Sequence, residues 1–248
     1  EGGTKCGFYD AKVTKLDHMM FGMVLQENVS VDEEGKEVKK AEKIKTREGK
    51  SVKLAELLDE AKDRALKSFE ERAKAKAEGA ETEVRSEDLE LAAEILGISS
   101  IKYYDLKQNR TQNYIFSFDQ MLDPKGNTGV YLIYAYARIC SILRKAEFNE
   151  ETANLDEYVF TSSNKSQRDL ALTILRLPEA IEESAKNLMV NRLTDQVHEI
   201  ATRIGDFYHN TKVIGSENEK SSIALLLATK RSMETCFNLL GMKTIDKI

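Results

Sequence analysis

The sequence predicts a mainly α protein, with a helical bundle in its second half and a short strand-bearing region ahead of it. Three observations carry that expectation. Only 2 of the 248 residues are Pro and none is Trp, so little interrupts long helices. Apolar residues recur every three or four positions through most of residues 54–240, the spacing that lines one face of a helix. Near the start, Phe21-Gly22-Met23-Val24-Leu25 is a compact apolar run of the kind that forms a buried strand.

Composition narrows the class. Apolar residues make up 41% of the chain, enough for a proper core. The 3 cysteines, Cys6, Cys140 and Cys236, are odd in number and widely spaced, which fits neither a disulfide framework nor a metal site. His198 and His209 have no third ligand near them in the sequence, so no metal is expected. No apolar stretch approaches the length of a membrane span. A formal net charge of −5 argues against indiscriminate nucleic-acid binding, and leaves specific binding to locally basic segments.

Taken in order, residues 36–53 carry Lys36, Lys39, Lys40, Lys43, Lys45, Arg47, Lys50 and Lys53 against three glutamates. This reads as a solvated basic loop, or as one that neutralises phosphate charge. Ser51 to about Gly79 reads as a helix with Leu54, Leu57, Leu58, Ala61, Ala65 and Phe69 on its apolar stripe. Its Ala/Lys/Glu-rich tail from Glu70 has no apolar face and is expected to fray. Ser86 begins another helix through Leu96, which Gly97 is expected to end. Residues 99–119 are ambiguous between helix and short strand.

Pro124 and Gly126 make a turn into a helix from Asn127 or Thr128, either of which can cap it. Val130, Ile133, Ala137 and Cys140 or Ser141 should pack inward. Tyr134 and Arg138, four apart, share one side, with Tyr131 a turn earlier. Aromatic rings beside a guanidinium suit an unstacked base next to a phosphate, although such a face also serves as a packing surface. Residues 146–168 are polar and turn-like. Pro178 should start a helix in its first turn, lined by Ile181, Ala185, Leu188 and Met189. In the next helix, Leu193, Val197, Ile200, Ala201, Ile204 and Phe207 face inward. A last helix, Ile223 to Leu240, should stop at Gly241.

Four motifs in order resemble arginyl-tRNA synthetases. Gly126 to Ile139 matches G-N-T-x-x-Y-L-x-Y-A-x-x-R-I, the helix that opens their DALR anticodon-binding domain. His18-Met19-Met20-Phe21-Gly22-Met23-Val24 matches H-x-x-F-G-x-V, the last strand of the nucleotide fold. Lys43-Ile44-Lys45-Thr46-Arg47-Glu48-Gly49 is similar to the family's version of the class I K-M-S-K-S loop, with Thr46 where the second lysine would stand. Residues 101–119 resemble the connecting region I-K-Y-x-D-L…N-R-x-x-x-Y-x-F-x-F-D.

The resemblance implies a helical anticodon-binding domain (residues 119–248), a connecting helical region (54–118), and the last strand or strands of a class I Rossmann-type catalytic domain (1–53). It implies catalytic roles for Lys43, Lys45 and Arg47, and ATP contacts for His18, Phe21, Thr46 and Gly49. Asn127, Tyr131, Tyr134, Arg138, Tyr208 and Ile248 would contact tRNA; Tyr208 reads equally well as an aromatic plug at a helix end. Expected substrates are ATP with Mg2+, arginine and arginine tRNA, with no tightly bound cofactor and no DNA or membrane partner. Other synthetases or assembly factors are possible partners, and the cytoplasm is the expected compartment. No H-x-G-H-type signature is present and the chain opens without Met. The expectation is therefore the C-terminal half of a longer enzyme, unable to form arginyl-adenylate alone. A competing reading is a non-catalytic helical assembly module, contacting partners through the charged helix near residues 55–80.

Overall fold

In the computed structural model, the structure describes residues 2–31, 37–43, 53–77 and 86–246. A short helix α1 (Gly2–Lys5) leads by an extended segment to strands β1 (Val24–Val31) and β2 (Glu37–Lys43). Helices α2 (Leu54–Ala77) and α3 (Ser86–Leu106) follow, then β3 (Tyr114–Phe116) and the single turn α4 (Phe118–Met121). The bundle comprises α5 (Gly129–Lys145), α6 (Lys165–Leu175), α7 (Leu177–Asn187), α8 (Asn191–Asn210) and α9 (Glu219–Leu239).

The small sheet has the order β2-β1-β3, with β2 antiparallel and β3 parallel to β1. It departs from expectation twice. The strand starts at Val24 rather than Phe21, and Phe21, Met23 and Val24 are exposed rather than buried. Part of the expected basic loop, Glu37–Lys43, is a strand, because β1 offers it a full antiparallel ladder from Leu25↔Lys43 to Val31↔Glu37.

Helix α3 does not end at Gly97 but runs on to Leu106. The glycine serves close packing instead: a Cβ there would lie 2.8 Å from the Ala61 carbonyl carbon, so its absence lets α2 and α3 approach backbone to backbone. Ala61, Ala65 and Phe69 of α2 are buried as expected, whereas Leu54 is exposed, a turn too early to reach α3. The Ala/Lys/Glu-rich tail stays helical as far as Ala77. In the bundle, Ala185 is exposed, and Leu188 and Met189 lie beyond α7, with Leu188 left-handed at φ 54°.

Other boundaries follow their local chemistry. Thr128, not Asn127, caps α5, its Oγ1 accepting from the Tyr131 amide at 3.1 Å. Asn164 Oδ1 accepts from the Gln167 amide at 3.0 Å and caps α6. Pro178 lies in the first turn of α7, and Gly241, at φ 64°, takes the chain out of α9.

One buried cluster joins α2 and α3 (Phe69, Leu96, Tyr103) to α5, α8 and α9 (Leu132, Ile139, Ile200, Phe207, Phe237). Each such side chain contributes about 1.5–3 kcal/mol by leaving water. After α9 the chain crosses α3 and α5. Ser99 Oγ donates to the Lys243 carbonyl and accepts from its amide, Lys102 Nζ donates to the Gly241 carbonyl, and Arg144 donates to the Asp246 carbonyl.

Candidate nucleic-acid interface

Helices α5 and α8 lie side by side and run the same way. Tyr131 Oη donates to the Ala201 carbonyl at 3.2 Å, and two turns further along both helices the Arg138 guanidinium sits 4.5 Å above the Tyr208 ring. Both contacts follow from spacing. Ala201, Ile204 and Phe207 point α8 into the core, which leaves Tyr208 on the flank against α5. Val130, Ile133 and Ala137 anchor α5 inward, so Tyr131, Tyr134 and Arg138 line the seam.

The seam is partly structural. Asn127 is committed to α3: its Oδ1 accepts from Tyr103 Oη at 2.5 Å and its carbonyl from Lys107 Nζ at 2.7 Å. Tyr131 is half-buried, and its ring centroid lies 5.8 Å from that of His198. Tyr134 is half-buried and also engaged within the protein. Arg138 is exposed, and among the described residues its one polar or ring interaction is with the face of Tyr208. Stacking of this kind is worth about 0.5–1 kcal/mol at an exposed site and leaves the guanidinium edge unpaired among the described residues.

Tyr208 sits as an aromatic plug at the end of α8. Its ring packs edge-on against Phe207 at 5.7 Å, and its outer face carries Arg138. Its hydroxyl is buried with no hydrogen-bond partner among the described residues. Burial holds the phenol well above its ordinary pKa, although Arg138 pulls the other way. Ile248 lies outside the described residues. The chain before it runs along α5, where the Asp246 carboxylate lies 3.9 Å from Cys140 Sγ.

The nucleotide-side residues are differently placed. His18 and Phe21 are exposed, in the irregular segment that precedes β1. Lys43 ends β2 opposite Leu25, beside the start of β1. Lys45, Thr46, Arg47 and Gly49 lie outside the described residues.

Residues 20–23 are held by the loop after α3, which belongs to the connecting motif but whose Arg110 was not among the expected site residues. Arg110 donates through Nη1 to the Met20 carbonyl and through Nε to the Leu188 carbonyl at 3.2 Å, at the end of α7. The Gly22 amide donates to the Arg110 carbonyl at 2.7 Å, and Asn113 Oδ1 accepts from the Met23 amide at 2.7 Å. A side chain at Gly22 would collide with the Gln112 carbonyl. The available signal was the Asn109-Arg110 pair within the connecting motif: a guanidinium can bind two carbonyls from separate elements.

Among the described residues, no three His, Cys, Asp or Glu side chains are grouped to hold a metal, and no helix is long and apolar enough to cross a membrane.

Comparison with known proteins divides the chain between two families. Residues 3–118 match a family described as "tRNA synthetases class I (R), catalytic domain". Residues 132–248 match the "DALR anticodon binding domain". The chain is 40% identical over 243 residues to the chloroplastic/mitochondrial arginine–tRNA ligase of Arabidopsis thaliana, covering 96% of this chain and 34% of that protein. It is 37% identical to the cytoplasmic arginine–tRNA ligase of the same plant, over 96% of this chain and 37% of that protein. The crystal structure of Plasmodium falciparum arginyl-tRNA synthetase superposes with a TM-score of 0.69 at 40% identity, covering 79% of this chain and 34% of that one. The chain thus spans about a third of the length of the curated relatives it matches.

Proposed function

We propose that the chain belongs with the arginyl-tRNA synthetases and supplies the anticodon-reading part of an arginine–tRNA ligase. The whole enzyme would join arginine to its tRNA with cleavage of ATP. One observation carries this reading: Arg138, stacked on Tyr208 at the α5–α8 seam, presents a guanidinium edge that no carboxylate occupies among the described residues. A splayed anticodon base stacks beside Tyr134 and Tyr208 while Arg138 takes the adjacent phosphate. Asn127 and Tyr131 then act indirectly, by fixing the start of α5 against α3 and α8.

The finer roles are part of the same proposal. Residues 119–248 form the anticodon-binding unit and 54–118 the connection, and 1–53 belong with the catalytic fold. ATP with Mg2+ is the nucleotide substrate, with no tightly bound cofactor. His18 and Phe21 border the adenine, and the Lys43–Gly49 loop, with Lys45 or Arg47 standing in for a signature lysine at Thr46, neutralises the triphosphate. Other synthetases or assembly factors could add to arginine tRNA as partners, and the cytoplasm is the proposed compartment.

The test is binding of arginine tRNA by the chain and by Arg138→Ala. Loss of a charge-assisted contact should weaken affinity by about 1.5–3 kcal/mol, roughly ten- to a hundredfold, with the fold intact by circular dichroism. Unchanged affinity would refute the role of Arg138.

A further inference from the structure

Arg110 is a half-buried guanidinium with no carboxylate partner among the described residues. Its donors go to carbonyl oxygens instead, Nη1 to Met20 and Nε to Leu188 at 3.2 Å. A charge drawn partly out of water without a counter-charge is costly, so the pair of acceptors needs an account. Strand registration is not that account. The Gly22 amide on the Arg110 carbonyl, the Met23 amide on Asn113 Oδ1 and the Tyr114 amide on the Met23 carbonyl already set residues 22–23 against this loop. They lead directly into the β1–β3 pairing that begins at Val24↔Tyr114.

The side chain reaches further than those backbone ties, from the irregular segment ahead of β1 to the turn between α7 and α8. Each end of this bridge stands where other anchors are weak. Met19, Met20 and Phe21 are exposed, so no apolar core fixes the path of the chain there. Leu188 caps α7 in the left-handed region at φ 54°, which takes its carbonyl out of the helical ladder. A planar guanidinium presents donors in a fixed fork and can hold two such carbonyls at a set separation, which a lysine ammonium on a flexible stem does not. We propose that Arg110 is a positioning residue for the nucleotide: it ties the Met20 carbonyl to the α7–α8 turn and so sets the backbone from which His18 and Phe21 project. The ATP-side segment then takes its place from the helical bundle. This rests on the ATP roles proposed above for His18 and Phe21, and Arg110 acts through their backbone, not by touching the nucleotide.

The test compares Arg110→Met, which keeps the bulk of the side chain, with Arg110→Lys, which keeps its charge. In the whole ligase, Arg110→Met should raise KM for ATP tenfold or more, while kcat, KM for arginine and tRNA affinity stay within about threefold. Arg110→Lys should recover only part of this, because one ammonium does not hold both carbonyls. In this chain, hydrogen exchange at the Gly22 and Met23 amides should quicken at least tenfold in Arg110→Met. Both of those amides keep their own acceptors, so the change reads the position of the segment and not a deleted bond. A lowered thermal midpoint with KM for ATP and exchange at residues 22–23 unchanged would overturn the proposal and make Arg110 merely structural. Equal losses in ATP, arginine and tRNA binding would overturn it too, as general loosening. An unsubstituted enzyme without ATP-dependent arginylation would refute the function proposed above, and the exchange rates would still decide whether Arg110 sets the segment.

Discussion

The α5–α8 seam and the segment ahead of β1 both carry expected functional residues, but they are built in opposite ways. At the seam, each such side chain is a neighbour of the main core: Tyr131 follows Val130, Arg138 follows Ala137, and Tyr208 follows Phe207. Residues 8–24 instead leave Phe8, Val13, Leu16, Met19, Met20, Phe21, Met23 and Val24 uncovered, Phe21 at 84% exposure. What orders residues 20–23 is polar: the Arg110 guanidinium, its carbonyl, and Asn113. A site whose positions derive from a core keeps its geometry without help. A site on a segment that buries little apolar surface depends on whatever else packs against it. This difference is why Tyr131, Arg138 and Tyr208 hold their geometry through the core of this chain, whereas His18 and Phe21 depend on what packs against them.

The largest expected effect breaks the comparison if it fails. Phe207→Ala removes a fully buried ring under the seam and should cost about 3–5 kcal/mol in urea unfolding. Phe21→Ala, on the exposed segment, should change stability by less than about 0.5 kcal/mol. Similar losses from the two would mean that residues 8–24 belong to the cooperative core after all.

A smaller effect sharpens the account of the seam. The Tyr208 hydroxyl is buried without a partner, so Tyr208→Phe should stabilise the fold by about 1 kcal/mol by removing an unmet polar group. The ring under Arg138 is kept, so any loss of tRNA affinity on this change would assign the hydroxyl a direct contact. Calorimetry and a binding titration on the same preparation separate the two.

The smallest effect is a pH slope. Burial beside Tyr131, with a contribution from Lys107, lowers the His198 pKa, while Glu199, Asp195 and a hydrogen bond to the Gly126 carbonyl oppose it. A base with a lowered pKa binds fewer protons folded than unfolded, so stability should rise with pH through the ordinary histidine range and fall as pH drops below it. His198→Gln should flatten that slope in thermal denaturation followed from pH 5 to 8.

Much of the bundle was legible because local signals and tertiary demands agree there. The six residues of α8 expected to face inward are all buried, with Thr194 beside them, the turn before α5 carries its cap, and Pro178 and Gly241 stand where helices start and stop. The departures came where a distant partner decides. Gly97 reads as a stop until Ala61 is known to press against it, and Glu37–Lys43 reads as a loop until β1 supplies its ladder. Of the site, Tyr134, Arg138 and Tyr208 were visible as residues, but not that Arg138 lies on Tyr208, a contact between positions far apart in sequence. Arg110 was missed because its two acceptors, Met20 and Leu188, lie on opposite sides of it in the chain.

The most direct test of the central claim, that the seam alone reads an anticodon, is equilibrium binding of this chain to arginine tRNA at two salt concentrations, with an anticodon-scrambled tRNA as control. The account predicts binding that weakens steeply as salt rises, because phosphate contacts release counterions, and that weakens again when the anticodon is scrambled. Binding indifferent to both salt and anticodon would contradict it, and would favour a surface that docks protein rather than RNA.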